Sequence, residues 1–241
     1  MDETYYAGAY WGPRKESPEE CARRMAGFLT ALPGVDPSFV RWFRPGRSRK
    51  DALKSPIEPS PKELEKLIAR GRDRVFADLG FRVSGWNGVA DDHDATGFDI
   101  QCGSHTDVVG NTCVFALPGM GPNTERILSA SVLTAMLRET AIAWAPDWGV
   151  AMSHAHRDLV EPHRAQRAPY VGWVTYLAGT RGTVPPLPAP VRVEHVQDQG
   201  SLIVLMPERF TASNPEHLAL AKRVHELLER AELLKPGSLL P

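Results

Sequence analysis

FRVSGWNGVADDHDATGFDIQCGSHTDVVGNTCVFALP, residues 81–118, reads as three short strands separated by two turn-rich breaks. The first strand spans Leu79 to Trp86. Phe98-Asp99-Ile100-Gln101-Cys102 alternates apolar and polar side chains, the period of a strand with one face on a core. Thr112 to Leu117 is apolar enough to be a central strand. The same stretch carries a local charge imbalance. No Lys or Arg falls between Arg82 and Arg126, whereas Asp91, Asp92, Asp94, Asp99 and Asp107 do. Such a run is either a solvated acidic loop or a surface for a basic partner.

Working outward toward the N-terminus, Thr4 to Trp11 is short and aromatic, as a first strand would be. Ser17-Pro18-Glu19-Glu20 follows as a helix start. Serine can cap, proline suits the first helical position, and Glu20 stands where a capping box needs it. Cys21, Met25, Phe28, Leu29 and Leu32 then give one apolar helical face up to Pro33-Gly34. Phe39 to Phe43 overlaps a basic cluster, Arg41, Arg44, Arg47, Arg49, Lys50 and Lys54. Basic residues among aromatics can mark a nucleic-acid surface. No nucleic-acid-binding module accompanies them, so the preferred reading puts Trp42 and Phe43 in the core and the arginines on a solvated loop. Ser60-Pro61-Lys62-Glu63 repeats the capping pattern, and Leu64, Leu67, Ile68, Val75 and Phe76 predict a helix weakened at Gly71.

Toward the C-terminus, Asn123 or Thr124 is expected to cap one long helix reaching Trp144, with Ile127, Leu133, Leu137 and Ala141 inward. Trp148 to Met152 reads as a short strand, Ser153 to Ala168 as a loop, and Tyr170 to Leu177 as a strand. Val191 to Val196 and Ser201 to Met206 form an expected hairpin about Asp198-Gln199-Gly200. Asn214-Pro215 opens a last helix whose inner face carries Leu218, Ala221, Val224, Leu228 and Glu232. Strands thus occur singly, in adjacent pairs and between helices. That pattern predicts an α+β fold, a mostly antiparallel sheet with helices packed on it, in a single domain covering 1–241.

With 28 basic and 29 acidic side chains in 241 residues, the whole chain is not an electrostatic nucleic-acid binder. Cys21, Cys102 and Cys113 are odd in number and widely spaced, which argues against a disulfide framework or a structural zinc site. The opening MDETYYAGAYWGPRKE lacks a basic start followed by an apolar run, and no apolar stretch approaches the ~20 residues of a membrane span. A cytoplasmic protein with no membrane contact is expected.

His154, His156, Asp158, Glu161 and His163 could supply metal ligands, because H-x-H on a strand places both rings on one face. They match no ligand pattern with a general base at fixed offset. Asp91-Asp92-His93-Asp94 lacks the glycine and glutamate of an EF-hand loop, since Thr96 and Cys102 occupy those positions. There is no G-x-S-x-G, and Gly119-Met120-Gly121 is too short for a phosphate-binding loop and has no lysine. No catalytic group and no cofactor is expected.

Several stretches together resemble the immunity protein 52 family of bacterial polymorphic-toxin and secretion-system immunity proteins. They are YYAGAYWGPRKES near the start, Gly80-Phe81 with Gly85-Trp86, Cys102-Gly103, and Asn111 with Cys113. Trp144-Ala145-Pro146-Asp147-Trp148 and Gly172-Trp173-Val174-Thr175-Tyr176-Leu177 complete the set. The resemblance implies a protein that binds and silences a toxin, one similar to restriction-endonuclease-fold nucleases. Asp91, Asp92, His93, Asp94, Asp99 and Asp107 would then face the toxin's basic groove, with no direct contact to nucleic acid. Two alternatives stand beside it: a metal-dependent hydrolase using the His154/His156 region, and an adaptor or chaperone that loads a toxin for export.

Overall fold

The structure is a computed structural model that describes residues 3–165 and 167–236. Its frame is one sheet of eight strands: β1 (Tyr5–Trp11), β2 (Phe81–Trp86), β3 (Gly97–Cys102), β4 (Asn111–Ala116), β5 (Trp148–Ser153), β6 (Val174–Ala178), β7 (Arg192–Val196) and β8 (Gly200–Val204). The spatial order is β2-β3-β4-β1-β5-β6-β8-β7, and every neighbouring pair is antiparallel. The fold is α+β, as the strand and helix pattern predicts.

Among the described residues, seven α-helices accompany the sheet: α1 (Pro18–Ala31), α2 (Arg49–Ala52), α3 (Pro61–Arg70), α4 (Pro122–Ile127), α5 (Ala130–Trp144), α6 (His154–Val160) and α7 (Pro215–Arg230). The start of α1 is the expected capping box. Ser17 Oγ accepts from the Glu20 amide at 3.2 Å, and the Glu20 carboxylate accepts from the Ser17 amide at 2.7 Å. The α1, α3 and α5 helices cover one face of the sheet. Phe28 of α1 packs between Phe115 of β4 and Trp144 of α5, which in turn stacks on Trp11. On the other side, α6, residues 169–173 and α7 cover only the half around β5 and β6. The second face of β2, β3 and β4 is left to Arg82, Ser84, Asp99, Gln101, Thr112 and Ala116, none of them buried.

Six sequence expectations change. The helix after Ser60 stops at Arg70, because Gly71 meets the edge of β2: its carbonyl accepts from the Arg82 amide at 2.9 Å, and a Cβ there would lie 2.1 Å from the Arg82 carbonyl. Val75 and Phe76 therefore lie outside it, largely exposed, in a turn whose amides donate to Asp73. The long helix to Trp144 is two helices. The chain turns at Leu128, and Ser129 caps α5 afresh with its side chain accepting from the Val132 amide. The residue before α4 is Gly121, not Asn123 or Thr124. Ser153 to Ala168 is no loop: Ser153 ends β5 and caps α6 at once, accepting from the His156 amide at 3.1 Å. Of Tyr170 to Leu177, only Val174 onward joins the sheet, and Glu232 falls beyond the end of α7. The three thiols are buried, as free cysteines; burial pushes the Cys113 thiol far up, and a hydrogen bond with the Cys21 thiol together with burial raises Cys102. They are held as inert thiols.

Candidate functional site

The acidic residues do not form one surface. Asp91, Asp92 and His93 are exposed on the β2–β3 loop. This loop is built rather than slack. Asn87 closes its base by accepting from the Thr96 amide at 3.1 Å, Asp91 accepts from the His93 amide at 2.9 Å, and the His93 carbonyl accepts from Gly119 and Met120. Asp94 turns inward and is 4% exposed. Its Oδ1 accepts from the amides of Asn123 (2.8 Å) and Thr124 (3.1 Å), capping α4 from outside that helix's own sequence. A carboxylate there satisfies two of the amides a helix start leaves unpaired. Asp99 lies on the uncovered face of β3, accepting from Arg82 at 2.9 Å and from Ser84 Oγ at 2.7 Å. Asp107 is exposed on the β3–β4 loop, at the far end of a six-residue strand. That separation is roughly 20 Å.

Arginines also reach the stretch from elsewhere in the chain. Arg49, from the basic cluster, donates to the carbonyls of Gly88 (3.0 Å) and Val89 (2.9 Å) and lies over the Trp86 ring at 5.3 Å. One member of that cluster is thus a clamp on the acidic loop. Phe39 and Trp42 are core residues, and Phe43 exchanges backbone hydrogen bonds with Trp86 along the outer edge of β2.

The histidine cluster is split by the helix that carries it. Residues two apart on a helix point about 200° from each other, so His154 and His156 face opposite ways. His154 lies against Tyr6, with ring centres 5.0 Å apart, whereas His156 stacks on Phe210 at 4.7 Å. Asp158 binds Arg157, and Glu161 binds Arg164 and the Tyr170 hydroxyl. Among the described residues, no three His, Cys, Asp or Glu side chains are grouped to hold a metal ion. Burial drives the His156 ring down to about 4, with Glu3 opposing weakly, so it is a neutral core imidazole.

Sequence reasoning missed a cavity of about 600 Å³ on the second face of the sheet. Its floor is Tyr6, Tyr10 and Trp148, and its walls include Tyr170, Arg157 and Arg164. The signal available was the alternation Tyr6-Gly8-Tyr10, which places two aromatics and a gap on one strand face. Its other half comes from α6 and the turn after it, a segment without a visible period.

Comparison with known proteins places this fold. The pattern of the family described as Immunity protein 52 matches residues 3–237, nearly the whole chain. The chain belongs to the immunity protein 52 family. Among solved structures, the Pseudomonas aeruginosa T6SS protein PA0821 aligns over 98% of this chain and 76% of its own, with a TM-score of 0.58 at 14% identity. At that identity the likeness is one of fold. Comparison with curated protein sequences returns no match. No helix among the described residues is long and apolar enough to cross a membrane.

Proposed function

We propose that this protein is a cognate immunity protein, a single domain that binds one toxin stoichiometrically in the cytoplasm and silences it without chemistry of its own. The family match across the chain carries that reading. We further infer that the toxin is a nuclease and that the β2–β3 loop faces it, through Asp91 and Asp92. Both carboxylates are exposed, and no ion pair holds either one among the described residues. A nuclease needs a basic groove for phosphates, and an acidic loop set against it speeds encounter and fits its charge. Asp94 and Asp99 serve the fold in this reading, by capping α4 and by pairing across the β2–β3 ladder.

Co-expression with the candidate toxin, the product of the neighbouring gene, tests the role. Restored growth and a complex that co-purifies are expected. A complex that leaves toxin activity intact would instead identify a loading adaptor. The loop is tested separately, by Asp91→Asn with Asp92→Asn. Toxin association should slow by roughly tenfold at low salt and lose part of its salt dependence; unchanged kinetics would remove the loop from the interface. Asp94 must be left out of that variant. Asp94→Ala is expected to cost about 1–2 kcal/mol of stability through the lost cap, read as a lower urea midpoint with the slope unchanged.

A further inference from the structure

We propose that the cavity where Tyr6 and Tyr10 meet Arg157 and Arg164 is a receptor for a projecting segment of the toxin, which enters it with an Asp or Glu side chain. The inference rests on the immunity reading and gives it a second contact surface, opposite in charge to the β2–β3 loop.

The cavity is built by β1. Tyr6, Gly8 and Tyr10 share one face of that strand. Tyr10 leans back along it, so that a Cβ at Gly8 would lie 2.5 Å from the Tyr10 hydroxyl. Only glycine leaves that path open. Tyr10 stacks on Trp148 with ring centres 4.3 Å apart, and this pair is the floor. Above it Arg164 lies 4.2 Å from the centre of the Tyr170 ring, and Arg157 lies 5.9 Å from that of Tyr6. Arg167 closes the far wall by donating to the carbonyls of Asp107 (2.8 Å) and Val108.

The polar groups lining the space are mostly hydrogen-bond donors. Buried tyrosines usually bond through their hydroxyls, and Tyr5, Tyr170 and Tyr176 do so. Among the described residues Tyr6 and Tyr10 form no such bond, and both line the cavity. Burial pushes Tyr10 up to about 12 and Tyr6 higher still, so both stay protonated at neutral pH. Four arginines line the space against one carboxylate, Asp147, whose oxygen already accepts from the Gly12 amide at 2.8 Å. Arg167 and Arg181 bond to neutral carbonyls and keep their charge unpaired by those contacts. Arg157 and Arg164 do have acid partners, Asp158 and Glu161. Arg157 and Asp158 are 38% and 66% exposed, an exchangeable surface pair, whereas Arg164 is 15% exposed and stays bound to Glu161, which also accepts from the Tyr170 hydroxyl.

A carboxylate on a projecting segment fits this chemistry. It can accept from a guanidinium and a tyrosine hydroxyl together, while its neighbours pack on the Tyr10–Trp148 floor. Tyr, Trp and Arg are the residues that dominate binding energy at protein interfaces. A phosphodiester strand fits poorly, since it needs an extended basic track and the four arginines here are grouped about one cavity.

The test uses the full chain and the toxin that the co-expression experiment identifies. Tyr6→Phe with Tyr10→Phe keeps the rings and their stacking, and Arg157→Gln changes a half-exposed group; melting temperatures verify that both fold. Each variant should dissociate from the toxin at least tenfold faster, with association little changed. Scanning the toxin's Asp and Glu residues to Asn and Gln should then find one whose loss is non-additive with Arg157→Gln. Dissociation within twofold of wild type in both variants, or a scan with no coupled residue, overturns the cavity assignment and leaves the immunity role standing. A wild-type chain that neither binds nor inhibits the toxin removes both.

Discussion

Trp173→Ala is expected to destabilise the protein by about 4 kcal/mol, close to the whole stability of many domains. Trp173 has no exposed surface and fills the space between β1 and the segment entering β6, with its ring 6.2 Å from Tyr5 in an edge-on contact. Its indole N–H donates to the Met206 carbonyl at 2.9 Å. Truncation therefore opens a tryptophan-sized void and strands a buried acceptor. Gly172 just before it has no room to relax, because a Cβ there would lie 2.4 Å from Val150 and 2.8 Å from the Ala151 carbonyl. A urea titration measures the effect, and a loss below ~1.5 kcal/mol would mean that this region repacks around the hole. Gly172-Trp173 is thus a packing requirement, and loss of toxin binding by Trp173→Ala would report on folding.

Acid should destabilise the protein through His156. The ring is 2% exposed, its Nδ1 has no hydrogen-bond partner among the described residues, and burial holds its pKa near 4. An unfolded histidine titrates near ~6.5. Between these values the unfolded chain binds the proton and the native protein does not, so stability falls as pH falls. The loss begins near pH 6.5 and runs to about 4. From pH 7.5 to 4.5 it should reach about 2–3 kcal/mol. Carboxylates titrate over part of that range, so the measured quantity is the difference between wild type and His156→Phe, which keeps the stack on Phe210 and cannot be protonated. Parallel pH profiles for the two proteins would show that His156 is not the group responsible.

What the sequence showed depended on distance along the chain. Strands and caps were legible because their determinants lie within a few residues: Ser17 and Glu20 announce α1, and Phe98 to Cys102 alternates as β3 does. The break at Leu128 was not legible, since the apolar spacing runs through it and the cap of α4 is Asp94, some thirty residues earlier. α6 was hidden because Ser153 ends a strand and starts a helix in one position, with no Gly or Pro between. Charge was the least local property of all. The acidic stretch has no Lys or Arg of its own, yet Arg49, Arg82 and Arg167 reach it, and only Asp91, Asp92 and Asp107 remain outwardly unpaired among the described residues. The tyrosine–arginine cavity joins residues some 150 positions apart, and no window along the chain contains both halves.

The position of β1 sets a timetable. This strand comes first in the chain but lies mid-sheet, between β4 and β5, and its partner β5 ends at Ser153. Bacterial-scale synthesis at roughly 5–20 residues per second would leave Tyr5–Trp11 without either neighbour for about 5–20 s, until β4 is complete at Ala116. Until then seven largely apolar residues wait with both edges open. A cell that met a fast toxin could not rely on fresh translation for protection. Its safety would be set by the stock of finished molecules already present, which makes slow turnover of the folded protein as valuable to the cell as tight binding.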